Sequence, residues 1–177
     1  AWKQSPDDPD ANFGLGALAF HAGDHAAAAR HFEIAIAARP DFALAHYNLG
    51  LARARLGDEA GAIAACAHSG VGVCLMHMQR EPQTMQVAPD YTDVVGEVRA
   101  FLEARARACL AAGIARECIA IDPGFGFGKT LAHNLALLRS IGTFAATGFP
   151  VVAGLSRKST LGAITGRGTD ERMPASL

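Results

Sequence analysis

Cys118-Ile119-Ala120-Ile121-Asp122-Pro123-Gly124-Phe125-Gly126-Phe127-Gly128-Lys129-Thr130 is the stretch that decides how this chain folds. A short apolar run ends in a carboxylate and passes at once into a loop where glycine alternates with phenylalanine. An apolar run of that length, bounded by turn residues, reads as a buried strand. Val71-Gly72-Val73-Cys74-Leu75-Met76 and Pro150-Val151-Val152-Ala153-Gly154-Leu155 read the same way. Amphipathic helices lie between them, one marked by Val94, Val98, Phe101 and Leu102 with Asp90 as its cap, the other by Leu131, Leu135 and Leu138. Strand, helix, strand, helix, strand, helix predicts an α/β fold with parallel strands and crossover helices.

In such folds chemistry collects on loops at the carboxyl ends of strands, and three informative segments fall there. They are Met76 to Met85, Asp122 to Thr130, and Gly154 to Ser159. The Asp122 carboxylate, held at a strand end, can grip two adjacent N–H donors of a flat heterocycle. The glycines after it allow a tight loop that brings Phe127 beside such a ring. Ser156, Arg157 and Lys158 offer a hydroxyl and two cations at one rim, suited to a carboxylate or an anionic leaving group. Met76 and Met78 can line a planar ligand with polarizable sulfur. Gly124 to Thr130 is not a phosphate-binding P-loop, because Pro123 stands where the first glycine of G-x-x-x-x-G-K-S/T is required. His77 reads as a packing residue, and His133 and Asn134 as braces of the glycine loop.

The composition suits a soluble globular protein: 177 residues, half of them hydrophobic, 19% charged, with a net charge of −1. It excludes a nucleic-acid binder held by bulk charge. Every long apolar stretch is interrupted by Asp, Glu or Arg before it could span a bilayer, and no basic-then-apolar leader is present. Cys66, Cys74, Cys109 and Cys118 form no C-x-x-C pair and sit among apolar neighbours. They read as buried free thiols of a reducing compartment, and a cytoplasmic protein is expected.

The first third of the chain repeats itself. Leu15-Gly16 recurs as Leu49-Gly50, Gly23-Asp24 as Gly57-Asp58, and Ala28 as Ala62. The common period of 34 resembles that of a tetratricopeptide repeat over about 10–66. Gly16 and Ala28 allow two antiparallel helices to approach, Gly23-Asp24 turns between them, Phe32 fills the seam, and Pro40 ends the second helix. The second unit departs from the pattern, with Cys66 where a large residue is expected. Fewer than two complete units are present, and a helical appendage is favoured over a peptide-binding module. His21, His25, His31 and His46 read as solvated face histidines. Residues 1–66 are taken as this helical segment and 67–177 as the α/β part.

Met76-His77-Met78-Gln79 with Glu81-Pro82 and Thr84-Met85-Gln86, Asp122 to Lys129, and Gly154-Leu155-Ser156-Arg157-Lys158-Ser159 together resemble dihydropteroate synthase from about Gly57 to Leu177. The resemblance implies a TIM barrel that condenses 6-hydroxymethyl-7,8-dihydropterin pyrophosphate with 4-aminobenzoate, releasing pyrophosphate. It implies that Asp122 holds the aminopyrimidine edge of the pterin and that Lys158 contacts the pterin carbonyl and approaches the aminobenzoate. Phe127 would help form the aminobenzoate pocket, and Met76 would pack on the pterin. Ser156 and Arg157 would meet the aminobenzoate carboxylate or steady the Gly154–Ser159 loop. Arg80 stands where that family usually has glycine, and a side chain there would crowd the loop.

A TIM barrel needs about 250 residues and eight strands, whereas 108 residues follow from Gly70 onward, enough for about three βα units. The expectation is therefore an incomplete barrel behind a helical hairpin segment. The family's magnesium is implied too, although the loop that ligates it has no counterpart in this sequence. Unpaired strand edges predict self-association into a homo-oligomer. The helical segment leaves open a protein or peptide partner, with the barrel remnant then an inert scaffold. Neither nucleic acid nor membrane is expected as a partner.

Overall fold

The computed structural model describes residues 6–67, 69–80, 83–156 and 158–171. The chain divides into two compact units, Ala1–Val73 with Ala108–Cys118, and Cys74–Arg107 with Ile119–Leu177.

The first unit is helical. α1 (Pro9–His21) begins with proline, whose missing N–H costs nothing there, and Asp8 caps it by accepting from the Ala11 N–H at 2.7 Å. Gly23, at φ +85°, turns the chain, and Asp24 caps α2 (His25–Ala38) through the Ala27 N–H at 2.8 Å. Arg39, restricted by the proline after it, is extended (φ −137°, ψ 87°) and ends α2. The plan then recurs: α3 (Ala43–Arg55), Gly57 at φ +76°, and Asp58 accepting from the Gly61 N–H at 2.9 Å before α4 (Glu59–Ala67).

The core of this unit joins Ala28, Ala29, Phe32, Leu49, Ala52 and Ala65. A methyl group at Gly16 would lie 2.6 Å from the fully buried Phe32 ring, so the first helix pair closes only around glycine. In the second pair the corresponding site beside Gly50 meets the Cys66 sulfur at 3.0 Å, and the thiol takes the place of the ring. The histidines are less solvated than expected. His46 sets its two ring nitrogens 2.9 Å from the carbonyls of Ala65 and Pro40, His31 meets the Asn12 side chain at 3.1 Å, and His25 lies 4.9 Å from the Phe20 ring. Helix packing brings carbonyls and rings to these positions, which a face count along one helix does not reveal. His21 is exposed.

The second unit carries the sheet. β1 (Val73–Met76) and β2 (Ile119–Asp122) pair, joined through α5 (Val94–Ala111). The expected third strand is reduced to one parallel bridge between Ile121 and Val151: the Ile121 N–H donates to the Pro150 carbonyl at 2.9 Å, and the Val152 N–H to the Ile121 carbonyl at 2.8 Å. Val152 is 43% exposed. Among the described residues this run has a ladder on one side only, too little to hold it extended.

β1 and β2 alternate rather than bury throughout. Ile119 and Ile121 point inward, while Cys74 and Met76 are exposed. Cys74 is thus an exposed thiol, contrary to the reading of four buried ones; Cys109 is buried, Cys66 and Cys118 are half-buried, and all four are free. The buried face of α5 is Val94, Val98, Leu102 and Ala106. Its cap is Asp93, not Asp90: Asp93 accepts from the Gly96 N–H at 3.1 Å, and Glu97 reaches back to the N–H groups of Thr92 and Asp93 at 2.9 Å.

The face of α6 (Leu131–Arg139) also differs. Asn134 and Leu137 are buried, whereas Leu131 and Leu138 are about 40% exposed. Asn134 is fastened to the preceding loop, as set out below, and that anchorage turns the outer leucines to solvent. α7 (Ile141–Ala145) buries Phe144, and α8 (Ser159–Thr165) ends at Gly166 with φ +67°.

Candidate functional site

The site sits on the loops that leave β1, β2 and the Val151 bridge. β2 ends on Asp122, whose Oδ1 accepts from the Gly124 N–H at 2.7 Å. That bond fixes the carboxylate against its own loop; Oδ2 accepts no hydrogen bond among the described residues. Gly124 has φ +72°, and a Cβ there would collide with the His77 carbonyl oxygen. Only glycine lets the loop after β2 press backbone against backbone on the loop after β1. Met76 lies alongside, its Cγ 3.4 Å from the same Cβ position.

From Gly126 to Gly128 each successive carbonyl is taken by a different side chain. Gln86 Nε2 donates to the Gly126 oxygen, Lys129 Nζ to the Phe127 oxygen at 3.0 Å, and the Tyr91 hydroxyl to the Gly128 oxygen at 3.0 Å. Asn134 completes the clamp: its Oδ1 accepts from the Gly126 N–H at 2.9 Å while Nδ2 donates to the Thr130 carbonyl at 2.8 Å. Thr130 and His133 form a capping box at the start of α6. The loop after β1 is pinned as well, since the Gln79 amide donates to the Asp90 carbonyl at 2.7 Å and accepts from its N–H at 3.2 Å.

Phe127 is half-buried, and the Lys158 ammonium stands 4.2 Å from its ring centroid. The Lys158 stem also lies against Gly126, 3.4 Å from where a Cβ would be. This cation–π contact sets a positive charge and a flat aromatic face side by side on the clamped loop. Gly154 and Ser156 are exposed on the loop that carries Lys158, and Arg157 lies outside the described residues. The structure thus gathers Asp122, Phe127, Lys158 and Met76 around one glycine loop.

Two titratable groups beneath this loop are perturbed. Lys129 is 4% exposed; burial pushes its ammonium down to about 8, and the negative Asp122 opposes the shift. His77 is 8% exposed with its ring edge-on to Phe101 at 5.0 Å. Burial and then the Lys129 charge push its imidazole down to about 4, against smaller upward pulls from a backbone hydrogen bond and from Glu97. The Cys74 thiol, although exposed, is raised by partial desolvation and by the negative Asp122. Lys129 escaped the sequence reading because its G-K-T context was weighed only as a P-loop; a lysine following two phenylalanine-glycine repeats on a strand-end loop was the available signal.

Among the described residues no group of three or more His, Cys, Asp or Glu side chains could hold a metal ion. The magnesium implied by the resemblance meets no such group among those residues.

Residues 43–177 match the family of pterin binding enzymes, and residues 1–40 match the tetratricopeptide repeat. The chain belongs to the pterin binding enzyme family. Over 116 residues it is 53% identical to the dihydropteroate synthase of Neisseria meningitidis serogroup B, covering 64% of this chain and 41% of that protein. A crystal structure of Thermus thermophilus dihydropteroate synthase in complex with 4-aminobenzoate superposes with a TM-score of 0.62 at 46% identity, over 72% of this chain and 49% of that one. A second, in complex with 6HMPPP, gives 0.64 at 39% identity over 77% and 57%. The fold is an incomplete barrel of that type preceded by helical hairpins. The chain spans about two fifths of the length of the curated relatives it matches. The pterin binding match begins at residue 43, upstream of the expected Gly57.

Proposed function

We propose that this chain is the C-terminal portion of a dihydropteroate synthase, whose reaction condenses 6-hydroxymethyl-7,8-dihydropterin pyrophosphate with 4-aminobenzoate to give 7,8-dihydropteroate and pyrophosphate. The observation that carries the reading is the Lys158 ammonium on the Phe127 ring at 4.2 Å, on the glycine loop that begins at Asp122. Asp122 takes the aminopyrimidine edge of the pterin with the oxygen that Gly124 leaves open. Met76 packs on the pterin, Phe127 walls the aminobenzoate, and Lys158 bridges the two substrates. Gly154 and Ser156 form part of the rim, and Ser156 and Arg157 serve to meet the aminobenzoate carboxylate or to steady the loop. When pyrophosphate departs, the pterin methylene gains positive charge, and the preplaced Asp122 anion stabilises it before the arylamine attacks.

Calorimetric titration with 6-hydroxymethylpterin tests this. The full chain should bind it weakly, and Asp122→Asn should abolish the heat. Absence of binding to the unsubstituted chain would refute the reading. These 177 residues are expected to turn over no substrate on their own, because the loops that hold pyrophosphate in the family have no counterpart here. Pyrophosphate release that depends on Lys158 would overturn that expectation.

The one-sided pairing at Val151 and the exposed Cys74 and Met76 on β1 favour a homo-oligomer that covers the sheet, testable by sedimentation. Four free cysteines favour the cytoplasm, and among the described residues no helix is long and apolar enough to cross a membrane. A second reading, a helical-repeat module that binds a peptide, is favoured by a cavity of about 340 Å³ in the first unit, lined by Glu33, Ile36, His46, Leu49 and Arg53 among others. It predicts no pterin binding.

A further inference from the structure

Among the described residues Lys129 is a buried cation without a carboxylate in contact, an expensive arrangement that needs full compensation. Its three N–H donors find three acceptors: His77 Nδ1 at 3.1 Å, the His77 carbonyl at 3.3 Å and the Phe127 carbonyl at 3.0 Å. Two of these belong to the loop after β1 and one to the loop after β2. His77 directly follows Met76, and Phe127 is the ring beneath Lys158. A single ammonium therefore ties the residue beside the Met76 wall to the backbone of the Phe127 wall. Gln86 and Tyr91 also join the segment after β1 to this loop, at Gly126 and Gly128, but among Gln86, Tyr91, Asn134 and Lys129 only Lys129 hydrogen-bonds to His77, next to Met76.

Resting on the dihydropteroate synthase reading, we propose that Lys129 is a positioning residue which sets the gap between the Met76 and Phe127 walls and so fixes where the arylamine ring sits. Lys129 touches neither substrate. The Asp122 carboxylate is anchored by the Gly124 N–H and its backbone carbonyl accepts from the His77 N–H at 3.1 Å; neither bond runs through the ammonium, so both stay in place when the tie is cut. The ammonium is faced by His77 and Tyr91, with Asp122 acting on it through space and Glu97 acting on the neighbouring His77. Removing it leaves two backbone carbonyls and a ring nitrogen unsatisfied across the two loops, and these then drift apart.

The test is calorimetry on the full chain with 6-hydroxymethylpterin, followed by 4-aminobenzoate added to the pterin-saturated protein. Lys129→Met should bind pterin within threefold of the unsubstituted chain but bind 4-aminobenzoate at least tenfold more weakly, with Lys129→Arg recovering most of the loss. Equal losses for both probes, or no loss for either, would overturn the positioning role. If Lys129→Met does not fold, Lys129→Gln carries the same comparison. Should the unsubstituted chain bind no pterin, the functional reading fails but the tie is still decided by NMR. The Phe127 amide and ring resonances should then move in Lys129→Met and return in Lys129→Arg while the Ile119 amide stays put, and unmoved Phe127 resonances would overturn the tie.

Discussion

Acidification should strike this protein first at His77. The imidazole is 8% exposed, packs edge-on to Phe101, and accepts at Nδ1 from a lysine ammonium 3.1 Å away. Protonation would bury a second cation against the first. Its folded value is held down to about 4, against 6.5 for a free histidine. Between those values the unfolded chain binds more protons than the folded one, so stability falls as pH drops through this window. Taking 1.36 kcal/mol per pKa unit, the linkage integral from pH 7 to pH 5 comes to about 2 kcal/mol for this residue. His77→Gln keeps an acceptor for Lys129 but does not titrate. Urea denaturation at pH 7 and pH 5, read from the NMR intensities of the Ile121 and Phe127 amides, isolates the contribution. The unsubstituted chain should lose about 2 kcal/mol more than His77→Gln over that interval. Equal losses, or a His77 ring that titrates near 6.5, would refute the reasoning.

Gly124→Ala should cost about 3 kcal/mol or more, because the left-handed backbone is strained for alanine and its Cβ would strike the His77 carbonyl; loss of the Phe127 amide's protection from hydrogen exchange would register it. Phe32→Ala should destabilise the helical unit by about 3–5 kcal/mol in thermal or chemical unfolding, since the ring is fully buried against Gly16. Arg80 adopts φ +65° and donates to the Val87 carbonyl at 2.6 Å. Arg80→Gly relieves the strain while Arg80→Ala keeps it, and both lose the bond, so the glycine variant should be about 1 kcal/mol the more stable of the two in urea.

The alternation of apolar runs and helical patterns in 70–177 was enough to read parallel strands with crossovers, because strand and helix periods are local properties of the chain. The 34-residue period likewise announced the helix pairs and the turns at Gly23-Asp24 and Gly57-Asp58, while the capping bonds of Asp24 and Asp58 came from the structure. Asp122, Phe127 and Lys158 could be picked out from the sequence as a candidate site because strand-end loops converge whatever lies beneath them. What stayed hidden depends on partners far away in sequence. The extent of a strand is set by the ladder beside it, so the run from Pro150 shrank to one bridge at Val151. Which leucines of α6 are buried is set by the loop to which Asn134 is fastened. Lys129 is invisible as a brace until folding brings His77, 52 positions away, within 3.1 Å of its ammonium. The left-handed turn at residue 80 could be suspected only from the glycine that the family usually has there. Local patterning therefore determined the element types and the chemistry at their ends. Packing alone decided lengths, faces and the buried cation beneath the site, because burial and hydrogen-bond pairing are settled between segments and not within them.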